Sequence, residues 1–149
     1  MKNISDSALK ERFILAHGLS AVLNASLLAA LRLIKIDAGE YLTTQSTHLT
    51  HLFFLVDGKL QVERQNPNGT HGVYSFETAF SVIGELELFS TKQSKALSAI
   101  QALSDSLLLS LPVEAVRENA LSDPAFLLFM CQNLSHKLLN TSLLHSVGA

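Results

Sequence analysis

Cysteine is almost absent from this chain of 149 residues: Cys131 stands alone. A single thiol excludes an internal disulfide framework, a cysteine-based zinc site and a multi-cysteine iron–sulfur cluster, and it fits a reducing cytoplasm. Charge is scarce as well. Only 16% of the residues are charged, and 11 Lys and Arg stand against 13 Asp and Glu, for a formal net charge of −2. No basic stripe is left to neutralise phosphates along a nucleic acid, which argues against direct DNA binding by this chain. The opening Met1-Lys2-Asn3-Ile4-Ser5-Asp6 lacks the apolar core of a signal peptide. The most apolar stretch, Leu19 to Ile36, is interrupted by Asn24, Arg32 and Lys35 before it reaches the about 18–20 residues that a membrane-crossing helix needs. The expectation is a soluble, cytoplasmic protein with no membrane contact. What is abundant is apolar side chain, 48% of the residues. That is more than one core of this size needs, and it points to a surface covered by a partner.

The order of local signals runs from helices to strands and back. Asp6 is placed to cap a helix in which Leu9, Phe13 and Leu15 or Ala16 fall near one face, and Gly18 to end it. A second short helix is predicted to start after Ser20 and run through Leu27 or Leu28. From Leu31 the pattern changes: Leu31–Ile36 is strand-like, Asp37-Ala38-Gly39-Glu40 is turn chemistry, and His51–Val56 is a buried-strand run. Asp57-Gly58 favours the positive φ angles of a tight hairpin before Lys59–Arg64, whose alternation gives one wet and one dry face. After the turn Asn66-Pro67-Asn68-Gly69, further strands are predicted around Val73–Phe76, Ala96–Leu103 and Ser106–Leu111. Many short strands with glycine-bearing turns read as a sandwich or jelly roll. Pro112 closes the strands and opens a helix through Glu118. Asp123-Pro124 starts a last helix reaching about Val147, roughly 37 Å at about 1.5 Å per residue. The predicted organisation is one structural domain: N-terminal helices over 1–30, a β region over 31–111 and C-terminal helices over 112–149.

The last helix has more apolar surface than one contact can cover. Leu127, Met130, Cys131, Leu134 and Leu138 share a face, while Phe126, Phe129, Leu139, Leu143 and Val147 populate others. One face is expected to pack on the domain, with Cys131 as a small core residue there rather than a nucleophile. The remainder is expected to pair with a second copy of the chain in a parallel two-fold arrangement, or to be covered by a further domain.

Ile83-Gly84-Glu85-Leu86-Glu87-Leu88-Phe89-Ser90, followed by Lys95-Ala96-Leu97, resembles the phosphate-binding cassette of cyclic-nucleotide-binding domains. Asp37–Leu42 resembles that family's early turn, and Phe53–Leu60 its strand-turn-strand signature. The three segments occur in the family's order and cover most of the chain, so it resembles the N-terminal effector domain of a Crp/Fnr-type transcription regulator. The resemblance implies a mainly β fold with flanking helices: a double-stranded β-helix (jelly roll) of the cyclic-nucleotide-binding type, with N-terminal helices and a long C-terminal dimerisation helix. It also implies a cyclic nucleotide such as cAMP, or a similar small anion, as effector, and a homodimer through the C-terminal helix. DNA would be contacted only through a winged helix-turn-helix domain beyond Ala149.

At the site, the resemblance implies that Gly84, Glu85 and Leu86 form the turn whose N–H groups face the phosphate, with Glu85 accepting from the ribose 2′-hydroxyl. Lys95 falls where the family has its phosphate-forking arginine, and Ala96 where a serine or threonine adds a contact. Lysine lacks the planar fork of arginine. The two departures each cost on the order of 1 to 3 kcal/mol of ligand contact. Thr141 and Ser142 resemble the polar pair set against the adenine base; as solvated helix residues they have an equally ordinary explanation.

Two other signals carry less. His48 and His51 invite a cupin-like metalloenzyme, but the His-x-His core of such a site is missing, and no metal is expected. Glu85 and Glu87, two residues apart on a helix, are not a natural acid/base pair. No catalytic constellation emerges, so no enzyme is expected. The rival reading within the same fold is a non-binding dimerisation scaffold, its pocket closed by a pairing of Lys95 with Glu85 or Glu87.

Overall fold

The computed structural model describes residues 1–65, 68–92 and 95–148, with side chains through Asn140. Two antiparallel sheets face one another. One has the strand order β1 (Lys2–Asn3), β2 (Arg32–Ile36), β9 (Ser106–Pro112), β4 (His51–Asp57) and β7 (Ser81–Ile83). The other has the order β3 (Tyr41–Thr43), β8 (Ala99–Ala102), β5 (Lys59–Gln65) and β6 (His71–Thr78). The chain crosses repeatedly from one sheet to the other, and the architecture is the expected jelly roll. Helices α1 (Ser7–Ala16), α2 (Ala25–Ala30), α4 (Val113–Asn119) and the first part of α5 (Pro124–Gly148) cover the outer face of the first sheet; the short α3 (Glu85–Phe89) follows β7.

This layering explains two sequence patterns. The β4 run is continuously apolar because its sheet is covered on both faces. Leu52, Phe54 and Val56 enter the core under the helices with Leu27, Val116 and Phe126, whereas Phe53 and Leu55 enter the core between the sheets with Ile36, Leu60 and Leu108. Strand β5 alternates because only one face of its sheet is dry: Leu60 and Val62 are buried, Lys59 is exposed. The corner between β4 and β5 admits no side chain. Gly58 has φ +110°, and a Cβ there would lie 2.1 Å from Ser106 Oγ.

The N-terminal cap forms as its residues dictate, with Asp6 Oδ1 accepting from the Leu9 amide at 3.0 Å. The second helix differs from the prediction. A 3-10 turn over Leu19–Ala21 comes first, and α2 starts only at Ala25, because Asn24 stays extended and its Oδ1 accepts from the Leu27 amide at 3.0 Å. The Asn24 amide also donates to the Asn119 carbonyl at 2.8 Å, fastening α2 to α4. Strands β1, β3 and β7 span two or three residues each, too few to show a period in the sequence.

Helix α5 begins as expected, with Asp123 Oδ1 accepting from the Ala125 amide at 3.0 Å. Its buried stripe, however, is set one position away from the face chosen by sequence. Phe126 and Met130 are buried, Leu127, Phe129 and Leu134 are half-buried, Leu138 is 69% exposed, and Cys131 is exposed rather than a core residue. The large Phe126 side chain is fully buried in the core under the helices, which orients this turn of α5, and Cys131, one position past Met130, is turned about 100° away. Among the described residues no helix is long and apolar enough to cross a membrane.

Candidate functional site

A cavity of about 390 Å³ lies between α3, the inner face of the four-stranded sheet and α5. Leu49, Phe53, Val62, Ile83, Ile100 and Leu134 give it apolar walls; Arg64, Glu77, Glu85, Glu87, Ser98 and Lys137 give it polar groups. A largely apolar hollow with a few convergent polar side chains is the usual form of a small-molecule site.

Glu85 is the most buried of these charges, at 3% exposure. Gly84 delivers it: with φ +103° it turns the chain from β7 into α3, and a Cβ there would come within 3.2 Å of Leu49 Cδ1. Glu85 Oε1 accepts from Lys137 Nζ of α5 at 2.8 Å. The same ammonium donates to the Val82 carbonyl and lies 3.7 Å from Glu77 Oε1. Glu77 in turn accepts from Ser81 Oγ at 2.6 Å. Burial pushes the Glu85 carboxyl above the ordinary carboxylate range, against the opposing pull of the Lys137 charge and hydrogen bond. Glu87 has a different partner, its Oε1 accepting from the Leu97 amide at 3.0 Å, which draws the segment before β8 back onto α3. The two carboxylates are thus separately engaged and do not face each other as an acid/base couple.

Arg64 enters from the opposite wall. Its Nε donates to Ser98 Oγ at 3.0 Å, and the centre of its guanidinium lies 3.7 Å from the centroid of the Tyr74 ring. A register shift makes this possible: Val62 pairs with Ser75 and Glu63 with Val73, so Tyr74 is the additional residue of a β-bulge.

Of the residues expected from sequence, Gly84, Glu85, Leu86 and Ala96 line the cavity. Lys95 is exposed and joined to His48 through an isolated backbone bridge; it lies outside the lining. Thr141 and Ser142 follow the cavity-lining Asn140 on α5, and their side chains lie outside the described residues. The internal partner of Glu85 is therefore Lys137, not Lys95. Two residues that sequence reading passed over, Lys137 and Arg64, supply the cations of the cavity. Both left a signal. Lys137 is the sole Lys, Arg, Asp or Glu in α5, and Arg64 continues the dry phase of β5 set by Leu60 and Val62.

His48 and His51 line a separate hollow of about 420 Å³ with Thr44, Thr47 and Thr50, and His51 Nδ1 sits 2.9 Å from Thr50 Oγ1. Among the described residues no three His, Cys, Asp or Glu side chains are grouped to hold a metal.

The profile of the family described as "Cyclic nucleotide-binding domain" matches residues 33–123. The chain is 29% identical over 134 residues to regulatory protein YeiL of Escherichia coli O157:H7, covering 90% of this chain and 56% of YeiL. It thus spans little more than half of that relative. Among solved structures, it is similar to the sensor domain of the transcriptional regulator DNR from Pseudomonas aeruginosa, with TM-score 0.70, 20% identity, and coverage of 88% of this chain and 89% of that one. It is also similar to a cyclic nucleotide-binding domain from Methylobacillus flagellatus KT, with TM-score 0.79, 14% identity, and coverage of 94% and 84%. At these identities the two structural likenesses speak to the fold.

Proposed function

The chain belongs to the cyclic nucleotide-binding domain family, and we propose that it is the effector-sensing and dimerisation domain of a Crp/Fnr-type transcription regulator acting in the cytoplasm. Its effector is cAMP, another cyclic nucleotide or a similar small anion, received in the cavity between the jelly roll and α5. Gly84, Glu85, Leu86 and Ala96 of the cavity lining contact it. Nothing is turned over: the cavity's carboxylates are engaged separately, and the output is a change in the position of α5.

The observation that carries this reading is the Lys137–Glu85 pair. Glu85 belongs to the cassette and Lys137 to α5, so an effector hydroxyl that takes the Glu85 carboxylate competes directly with the contact holding the helix down. Occupancy of the cavity and the position of α5 are then one equilibrium. A helix-turn-helix domain beyond Ala149 would be repositioned by that shift. The second copy binds along α5, where Leu128, Leu138 and Leu139 are 60%, 69% and 58% exposed. Leu138→Glu is expected to convert the dimer to a monomer in sedimentation velocity.

The same ion pair favours a second reading, a non-binding scaffold whose cavity charges are satisfied internally. Isothermal titration of cAMP and cGMP into the purified protein at low ionic strength separates the two. Saturable heat supports the sensor; silence with both nucleotides in a protein that is dimeric supports the scaffold.

A further inference from the structure

We propose that the anionic group of the effector is held by Arg64 of β5, on the wall facing α3, rather than by the cassette cation at position 95. The inference rests on the reading of the cavity as the effector site and names the chemistry that site selects.

Charge is the first argument. Each carboxylate in the cavity already has a partner: Glu85 has Lys137, Glu77 has Ser81 and Lys137, and Glu87 has the Leu97 amide. Lys137 is likewise met by carboxylates. Arg64 is not. Among the described residues no carboxylate oxygen lies within 4.0 Å of its guanidinium. Of the five N–H donors of an arginine, one is spent on Ser98 Oγ, which leaves the forked end for an oxyanion.

Orientation is the second. Long cationic side chains ordinarily lose rotamer freedom when they clamp a ligand. Here the guanidinium is already fixed, by Ser98 just before β8 and by the Tyr74 ring of β6, a ring that faces it because of the bulge. The phase of the segment before β8 points the same way. Ala96 and Ser98 are buried at the cavity and Lys95 is exposed, so the side chain at position 95 alternates away from the ligand. Where the phosphate-forking arginine is missing from the cassette, Arg64 supplies a planar fork from another strand. The ligand class is a small organic oxyanion, phosphate or carboxylate, on a flat apolar body that fits against Phe53, Val62 and Ile100.

The test is isothermal titration of cAMP, cGMP and 1-anilinonaphthalene-8-sulfonate into wild type, R64Q, R64K and K95A. Loss of a bidentate charge-assisted contact is expected to weaken anion binding about thirtyfold in R64Q. R64K keeps stem and charge without the fork; it is expected to recover part of the loss and serves if R64Q does not fold. K95A is expected to stay within about threefold of wild type, as for a side chain outside the cavity. Nucleotide silence with sulfonate binding that disappears in R64Q would overturn the cyclic-nucleotide reading and uphold the role of Arg64. Binding that survives in R64Q, binding lost in K95A instead, or no binding of any of the three anions to wild type overturns the inference.

Discussion

Replacing Lys137 by methionine keeps the length and apolar stem of the side chain and removes only its ammonium, so it isolates the charge that faces Glu85. The Glu85 side chain is 4% exposed and that of Lys137 27%. Breaking a fully buried ion pair by deleting one partner costs about 3–5 kcal/mol, because the survivor is left charged and undersolvated. Water reaches the Lys137 end, which places this case lower, at about 2–3 kcal/mol near pH 8. For a domain of this length each kcal/mol moves the midpoint by roughly 2–4 °C, so K137M is expected to melt about 5–10 °C below wild type. The pH dependence follows from the sign of the Glu85 shift. Burial already raises its folded pKa, and removing Lys137 raises it further. A carboxyl raised in the folded state contributes stability that is fully present below its unfolded value of about 4.3 and is lost as pH rises through the folded value. The deficit of K137M is therefore largest at pH 8 and shrinks toward pH 5. Adding Glu85→Gln to K137M removes the stranded charge and is expected to restore most of the loss at pH 8. Differential scanning calorimetry of wild type, K137M, E85Q and the double variant at the two pH values provides the full cycle. An equal deficit at pH 5 and pH 8, or no recovery in the double variant, refutes the reasoning.

Three further perturbations probe other parts of the fold. Gly58→Ala meets both a positive φ and a Cβ position 2.1 Å from Ser106 Oγ, so it is expected to cost at least about 3 kcal/mol in urea unfolding. Phe126→Ala empties a fully buried site beneath α5 and is expected to lower stability by about 3–5 kcal/mol with an unchanged denaturant slope. His17 packs 4.6 Å from the Phe80 ring, and burial holds its imidazole pKa below the ordinary value. Its contribution to stability is present above about pH 6.5 and is lost as pH falls through the lowered folded value. NMR titration of the ring is expected to give a midpoint below that of a free histidine; a midpoint at or above it contradicts the burial argument.

What could be read from sequence was what neighbouring residues decide among themselves. The corner at Asp57-Gly58, the cap at Asp6, the start of α5 at Asp123-Pro124 and the apolar run of β4 each answer a local demand of backbone conformation or side-chain period, and each forms where its residues call for it. The cassette turn at Gly84-Glu85-Leu86 belongs with them. Tertiary structure decided the rest. The two-residue β1 exists only because Lys2 and Asn3 find Lys35 and Ile34. The rotation of α5, with Phe126 inward and Cys131 outward, depends on the shape of the core that receives it. The cations of the cavity were least legible of all. Lys137 reaches Glu85 across 52 positions of sequence, and Arg64 reaches Ser98 across 34. Lys95, beside the cassette in sequence, faces outward because the strand phase puts Ala96 inward. Turns and periods arise from interactions a few residues long. Ion pairing and cavity shape depend on which distant elements pack together, and a linear pattern does not record that.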